Sequence, residues 1–409
     1  MRFLQTEEQR DFARSLAAML TAADTPTAIR SWATGDPTPG RTLWSRLADA
    51  GVFALAIPEQ HEGVGPLPIE LTTAFVELGR HGVPGPVVET VAVAALLTEL
   101  ARLGEAAPAK RLLPGLASGE TVATLTMPMG PVPAGAVPRG PVPTPDPPAG
   151  CGQAFRTAER VGTTHDGAAP VVTGGTGAWA RQGRRSVVPT RSAPAERLPT
   201  TGVLALDADV ADVILVVQGD ELRLAPGHEP VRNSPDPARR LARPTPGGEL
   251  LASGPAVTAA AAHARDWAML ATAAQALGVG LTLLDRTVAY AKQRRQFGTE
   301  IGSFQAVKHR LADTLIALEF ARPLLFGAAV TFRSTDLAAA KVAAGEAAYT
   351  AARTALQIHG AVGYTEELDL SLWLRKARPL RDAWGTPSWC RARVMDTYDG
   401  YGDDSDDRS

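Results

Sequence analysis

The sequence predicts an α+β fold in which a helical domain (1–118) leads into a small β domain or barrel (119–250) and then a C-terminal four-helix bundle (251–400), with a short acidic tail (401–409). Three observations carry that prediction. Apolar residues recur at helical spacing from Thr6 to about Ser118. From Thr121 to about Ala242 the texture changes to short β-prone runs separated by turn residues. From about Val257 onward the chain is rich in alanine and leucine with long unbroken periodicity. Strands do not alternate with helices, which excludes a doubly wound sheet.

In the first part, Phe12, Leu16, Ala17, Met19 and Leu20, then Leu43, Leu47 and Val52, mark helix faces, and Gly51, Gly63-Val64-Gly65 and Pro84-Gly85-Pro86 punctuate them. In the second, the strands expected are Val122–Thr126, Gly202–Leu206 and Val213–Val217. The proline-rich tract 128–148 has too few backbone donors for sheet and reads as a polyproline-like loop. In the third, Leu270, Ala274, Leu277, Leu281, Leu284 and Val288 step by three and four along one stripe. A second helix is expected from an N-cap at Ser303, burying Val307, Leu311, Leu315 and Leu318, and a third after Thr335-Asp336, running through Val342, Ala347, Ala351 and Leu356. Packed together these make a bundle.

A chain of 409 residues buries a large core without a disulfide or metal staple. Cys151 and Cys390 are lone residues with no metal-ligand spacing, so no metal site is expected and a reducing cytoplasm fits. With 41 basic against 43 acidic residues, charge gives no case for nucleic acid or an anionic membrane as partner. The start has an acidic pair, Glu7-Glu8, where a signal peptide needs an apolar region, and the apolar run Val91–Leu97 is far below the roughly 20 residues of a spanning helix. A soluble cytoplasmic protein without membrane insertion is expected.

Gly174-Gly175-Thr176-Gly177 lacks the lysine and the strand–loop–helix frame of a phosphate loop and reads as a turn. Arg181 to Arg185 is a basic surface cluster, and the acidic stretch 403–407 a solvated tail.

Two segments carry more information: Arg294-Arg295-Gln296-Phe297-Gly298, and Gln357-Ile358-His359-Gly360-Ala361-Val362-Gly363-Tyr364-Thr365-Glu366. Together they resemble the flavin-clasping half of the acyl-CoA dehydrogenase family, and the order of domains resembles the fold of that family. The resemblance implies FAD as cofactor and α,β-dehydrogenation of an acyl thioester, on CoA or on a carrier protein. A planar guanidinium suits a pyrophosphate through two parallel charge-assisted hydrogen bonds. In the family these segments reach FAD bound in the neighbouring subunit, which implies that role for Arg294, Phe297, Gln357 and Gly360. Ala361 departs from the pattern by adding a methyl where a second glycine is usual. His359, with no metal partner in the pattern, reads as structural.

The chain departs from the family where the substrate's α-proton is removed. Through the shared Gly385-Thr386 and Arg391, the position of the usual glutamate aligns with Trp384, and an indole has no basic site. The alternative position in the family aligns with Ala268. Asp382 lies two residues from Trp384 and is the candidate substitute, whereas Asp266, two residues from Ala268 on a helix, should face away from it. No catalytic base is thereby assigned. Within the chain's own half-site, the usual Trp-x-Thr corresponds to Leu204-Ala205-Leu206, the segment flanking the flavin to Leu125–Pro131, and the arginine of the long helix to Met269, while Thr386 survives as a cofactor contact.

Residues that reach a neighbour's flavin are kept and those that build the chain's own pocket are largely lost. The pattern resembles base-less subunits of heteromeric dehydrogenases, paired with a glutamate-carrying paralogue. Two alternatives stand beside it: a homo-oligomeric flavoenzyme with altered chemistry in a specialised biosynthetic pathway, and a flavin-free scaffold or binding protein. The acyl group and the electron acceptor have no signature in the sequence.

Overall fold

The computed structural model describes residues 5–128, 203–232 and 234–396. Most of the proline-rich tract, Cys151, the glycine-rich turn, the basic cluster and the acidic tail lie outside them.

The helical part comprises α1 (Glu7–Ala22), α2 (Thr25–Thr34), α3 (Thr38–Asp49), α4 (Pro68–Arg80), α5 (Val87–Arg102) and α6 (Ala106–Ala117). Their ends follow from local chemistry. Thr6 and Gln9 form a reciprocal capping box at the start of α1. Gly35, at φ 90°, ends α2 in the left-handed conformation that glycine adopts without strain. Leu71, Phe75 and Leu78 of α4 and Val91, Leu96 and Leu100 of α5 are buried in one core with Trp44 stacked on Phe53.

The β part is a sheet of four strands in the order β1 (Ala123–Thr126), β3 (Val213–Gln218), β4 (Glu221–Leu224), β6 (Glu249–Ser253). β1 runs parallel to β3 with Leu125 opposite Leu215, and the β3–β4 hairpin turns at Gly219-Asp220. A separate antiparallel pair joins β2 (Ala205–Leu206) to β5 (Leu241–Ala242). Among the described residues this is a small sheet rather than a closed barrel.

Gly254, at φ 96°, turns the chain out of β6, and Pro255 starts α7 (Pro255–Gln293) at the position where a missing N–H costs nothing. α7 has 39 residues, about 58 Å of rise. It is followed by the two-residue strands β7 (Arg295–Gln296) and β8 (Thr299–Glu300), then α8 (Gln305–Thr331), α9 (Ser334–His359), α10 (Leu370–Asp382) and α11 (Pro387–Met395). α9 and α10 pack on α7, and α8 packs on α9, with α11 flanking α9.

The single stripe expected for α7 understates its burial. Every residue from Trp267 to Leu281 is buried, so the helix is apolar all round because α4 and α5 cover one side and α9 and α10 the other. The α4–α7 crossing is close enough to require glycine. A Cβ on Gly79 would lie 2.1 Å from the Gln275 carbonyl oxygen, and one on Gly278 would lie 2.0 Å from that of Val76.

α8 departs from expectation at both ends of its pattern. Ser303 does not cap it: a short 3₁₀ turn runs from Ile301 to Ser303, the helix starts at Gln305, and the Ser303 hydroxyl donates to Glu300 O at 2.6 Å. Leu318 is buried, but Leu315 is exposed together with Ile316, Phe320 and Leu324. α7 and α8 are each long and apolar enough to cross a membrane by length and composition; 94% of the apolar window of α7 is buried within the chain, against 39% for α8.

Gly278→Ala should force α4 and α7 apart and cost about 1–3 kcal/mol, measured by urea unfolding. Unchanged stability would mean that the helices do not approach to backbone contact.

Candidate cofactor-contact arm and the Trp384 turn

At the end of α7 the chain leaves the bundle as a tight hairpin. Phe297 (φ 53°) and Gly298 (φ 79°) both occupy the left-handed region, the arrangement of a two-residue turn that matches strand twist. A phenylalanine in that conformation is strained, and its ring gains no burial in return, since Phe297 is 92% exposed. Arg294 and Gln296 are exposed as well, and among the described residues the only aromatic neighbour of Phe297 is Phe304, edge-on at 6.2 Å.

The second segment ends α9. Gln357 is exposed and Tyr364 is 76% exposed. Gly360 sits at φ 61°, ψ −136°, a region open to glycine, and a Cβ there would meet nothing within 4 Å. Its requirement is therefore conformational, and the Ala361 methyl points to solvent rather than into a neighbour.

The helix ends that carry the two segments are joined by an aromatic contact. The Tyr290 ring, in the last turn of α7, stacks on His359 with centroids 4.1 Å apart. His359 Nδ1–H donates to Ala355 O at 2.8 Å, and burial lowers its pKa, so a neutral ring ties the two helix ends together.

The Trp384 turn lies elsewhere. Lys341 and His359 are on the same helix, separated by about 27 Å of rise, and Lys341 rather than His359 holds this turn. Its Nζ donates to Arg381 O at 2.8 Å, Leu380 O at 3.0 Å and Gly385 O at 3.4 Å. These are carbonyls at the C-terminal end of α10 and just beyond, where a cation is favoured. Burial still pushes Lys341 down to about 8. Trp384 (φ 54°) and Gly385 (φ 132°) are both left-handed or beyond, and a Cβ on Gly385 would lie 2.6 Å from Cys390 Sγ. Thr386 then caps α11, its Oγ1 accepting Trp389 N–H at 3.3 Å.

The residues singled out in the sequence thus fall in two places. Arg294, Phe297, Gln357 and Gly360 gather at the shared end of α7 and α9, while Thr386, Trp384 and Asp382 belong to the turn at the far end of α9. Asp382 is exposed at the end of α10. Asp266 does turn away: its Oδ2 accepts the Ser334 hydroxyl at 2.5 Å, and burial raises its carboxyl above the usual range. Ala268 and Met269 are fully buried in α7, and Leu206 is buried in β2.

The carboxyl beside Trp384 is one the motifs did not identify. Glu89, in the first turn of α5, is 5% exposed and accepts the Trp384 indole N–H at Oε1, 3.1 Å away. Burial pushes its pKa up; Arg239 and the indole hydrogen bond pull it back. Its signal in the sequence is a lone acid in the apolar run Val87-Val88-Glu89-Thr90-Val91.

Comparison with known proteins identifies the class. Residues 6–120 match the acyl-CoA dehydrogenase N-terminal domain, and residues 258–397 match the acyl-CoA dehydrogenase C-terminal domain. The chain belongs to the acyl-CoA dehydrogenase family, a family of flavoprotein oxidoreductases. It is 29% identical over 375 residues to acyl-CoA dehydrogenase IpdE2 of Mycobacterium tuberculosis, covering 90% of this chain and 91% of that protein. Its fold is similar to a chain of the ChsE4-ChsE5 complex of Mycobacterium tuberculosis, with TM-score 0.67 and 23% identity over 98% of this chain and 99% of that one. It is also similar to PigA in a structure with FAD and proline, with TM-score 0.69 and 19% identity over 98% of this chain and all of the other.

Lys341→Met should cost about 2–4 kcal/mol in chemical denaturation, because three carbonyls lose a charged donor. Thr386→Ala should cost about 1 kcal/mol through the lost cap. Equal stability of Lys341→Met and the parent chain would remove the ammonium from its role in holding the turn.

Proposed function

We propose that this chain is a subunit of a heteromeric FAD-dependent acyl-CoA dehydrogenase and contributes Arg294, Phe297, Gln357 and Gly360 to FAD held mainly by a glutamate-carrying paralogue. The observation that carries the reading is the exposure of the arm. Arg294, Phe297 and Gln357 point away from the body of the chain, Gly360 leaves open space above its Cα, and the Tyr290–His359 stack holds the segments together. A strained, solvent-facing phenylalanine is retained at a cost that a ligand or neighbour can offset. Arg294 has no ion-pair partner among the described residues, which leaves its guanidinium edge free for a pyrophosphate.

The fit to FAD differs between the two places. At the arm the groups are open and of the right chemistry. At the turn, the position of the family's carboxylate holds an indole hydrogen-bonded to Glu89, and the cavity that Glu89 lines with Leu206 and Asp207 is about 10 Å³, room for a water molecule. Trp384 can neither accept a proton nor leave its pocket without breaking the bond to Glu89. When bound in the complex, FAD supplies the hydride acceptor for dehydrogenation at Cα–Cβ of an acyl thioester; the base that removes the α-proton comes from the partner. The partner's docking surface includes α8, which begins directly after the arm and presents Ile316, Phe320 and Leu324 in one stripe at steps of four, with Phe320 71% exposed. The ChsE4-ChsE5 complex is a precedent among the structural relatives.

Arg294→Ala should abolish retention of flavin by the complex while leaving the helical content of the chain unchanged, read by visible absorption after gel filtration alongside circular dichroism. Undiminished flavin in the variant complex would remove the main support for a contact in trans.

A further inference from the structure

Glu89 has a counterpart. Asp207, immediately after β2, is fully buried and its backbone is left-handed at φ 52°. Its Oδ1 accepts the Trp32 indole N–H at 3.2 Å and the Arg240 backbone N–H at 3.1 Å. Each carboxyl therefore takes an indole N–H on one oxygen. The other oxygens, Glu89 Oε2 and Asp207 Oδ2, are both buried without a partner among the described residues, and both residues line the same cavity of about 10 Å³. A volume of that size is about one water, and the orphaned acceptors on two of its lining residues need a donor.

Charge points the same way. The cavity is lined by the carboxyls of Glu89 and Asp207 and by the cations Arg239 and Lys376, and Lys376 is itself engaged by the buried carboxyl of Asp236 outside the lining. Lys376 is buried on α10 with Nζ 3.7 Å from Asp236 Oδ2. Arg240 is taken up by Asp209 at 2.6 Å, and Lys341 by its three carbonyls. Three acids against two cations leave one negative charge in excess, which a single proton neutralises. Uncompensated buried charge is costly, so the proton is retained.

We infer that Glu89 and Asp207 form an acid pair that shares one proton through a single water in this cavity, linking the Trp384 turn to α2 by the path Trp384–Glu89–water–Asp207–Trp32. The pair lies outside the flavin arm and acts whether or not flavin is bound. Protonated, it presents the donor that both orphaned oxygens need. Ionised, it places two carboxylates against each other and drives Glu89 from the indole that fixes the strained Trp384 backbone.

Burial, with Glu89 adding its charge, pushes Asp207 up to about 7, and burial also raises Glu89. A carboxyl with a raised folded-state pKa contributes stability that is complete below its unfolded value, about 4, and is lost as pH rises through the folded value. Stability of the full chain should therefore fall between about pH 4 and pH 7.

Glu89→Gln tests the pair without changing its shape. The glutamine oxygen still accepts the Trp384 N–H, and its amide donates where the shared proton did, so Asp207 then ionises at lower pH. In urea titrations across pH 5 to 8, the wild-type slope should correspond to about one proton held by the folded state near pH 6, and it should fall markedly in Glu89→Gln and in Asp207→Asn. The infrared difference spectrum at pH 6 should show a protonated-carboxyl band in the wild-type chain that is lost in both variants. A high-resolution crystal structure should show one water within hydrogen-bonding distance of both oxygens. An unchanged pH slope in Glu89→Gln, no protonated carboxyl in the wild type at pH 6, or an empty cavity would each overturn the pairing.

Discussion

The burial of α7 on all sides is the constraint on which the other features depend. A helix of that length, apolar around its whole circumference over its middle turns, has no stable position in water on its own. It requires α4 and α5 on one flank and α9 and α10 on the other, and the backbone contact at Gly79 and Gly278 fixes how α4 crosses it. Because the helix cannot shift without opening core on both flanks, its C-terminal end is a rigid platform. The arm at Arg294 to Glu300 gains its position from that platform, having no core of its own.

α9 transmits the same order to two distant places. Near one end Lys341 gathers the carbonyls of the Trp384 turn, and at the other His359 stacks on Tyr290 to bring the second flavin-related segment against the first. The separation by about 27 Å gives physical content to the division between the residues proposed to reach a neighbour's flavin and those at the Trp384 turn. At the arm, strain is tolerated in an exposed aromatic. At the turn, strain at Trp384 is held by a buried lysine, a buried glutamate and a helix cap.

Domain order was legible in the sequence because it rests on local signals. Helical periodicity and β-prone runs such as Val213–Val217 are written within a few residues of one another, whereas the hairpin at Phe297-Gly298 was not read from its motif. What was not legible depends on contacts between distant segments. Leu315 follows the same spacing as Leu318, yet one faces outward and the other the core, because the orientation of α8 is set by α9 and not by its own pattern. Ser303 has the chemistry of a cap but is drawn back to Glu300 O by the hairpin before it. Glu89 and Trp384 are joined only in three dimensions, as are Asp207 and Trp32, so neither pair has a spacing to detect.

The central claim is that this chain completes a flavin site it does not itself contain. The most direct measurement is the visible absorption spectrum of the chain purified alone, supplied with excess FAD and then freed of unbound flavin by gel filtration. A colourless chain, with flavin retained only after a glutamate-carrying partner is added, is the expected result. Near-stoichiometric flavin on the chain alone would contradict the claim and make it a flavoenzyme in its own right.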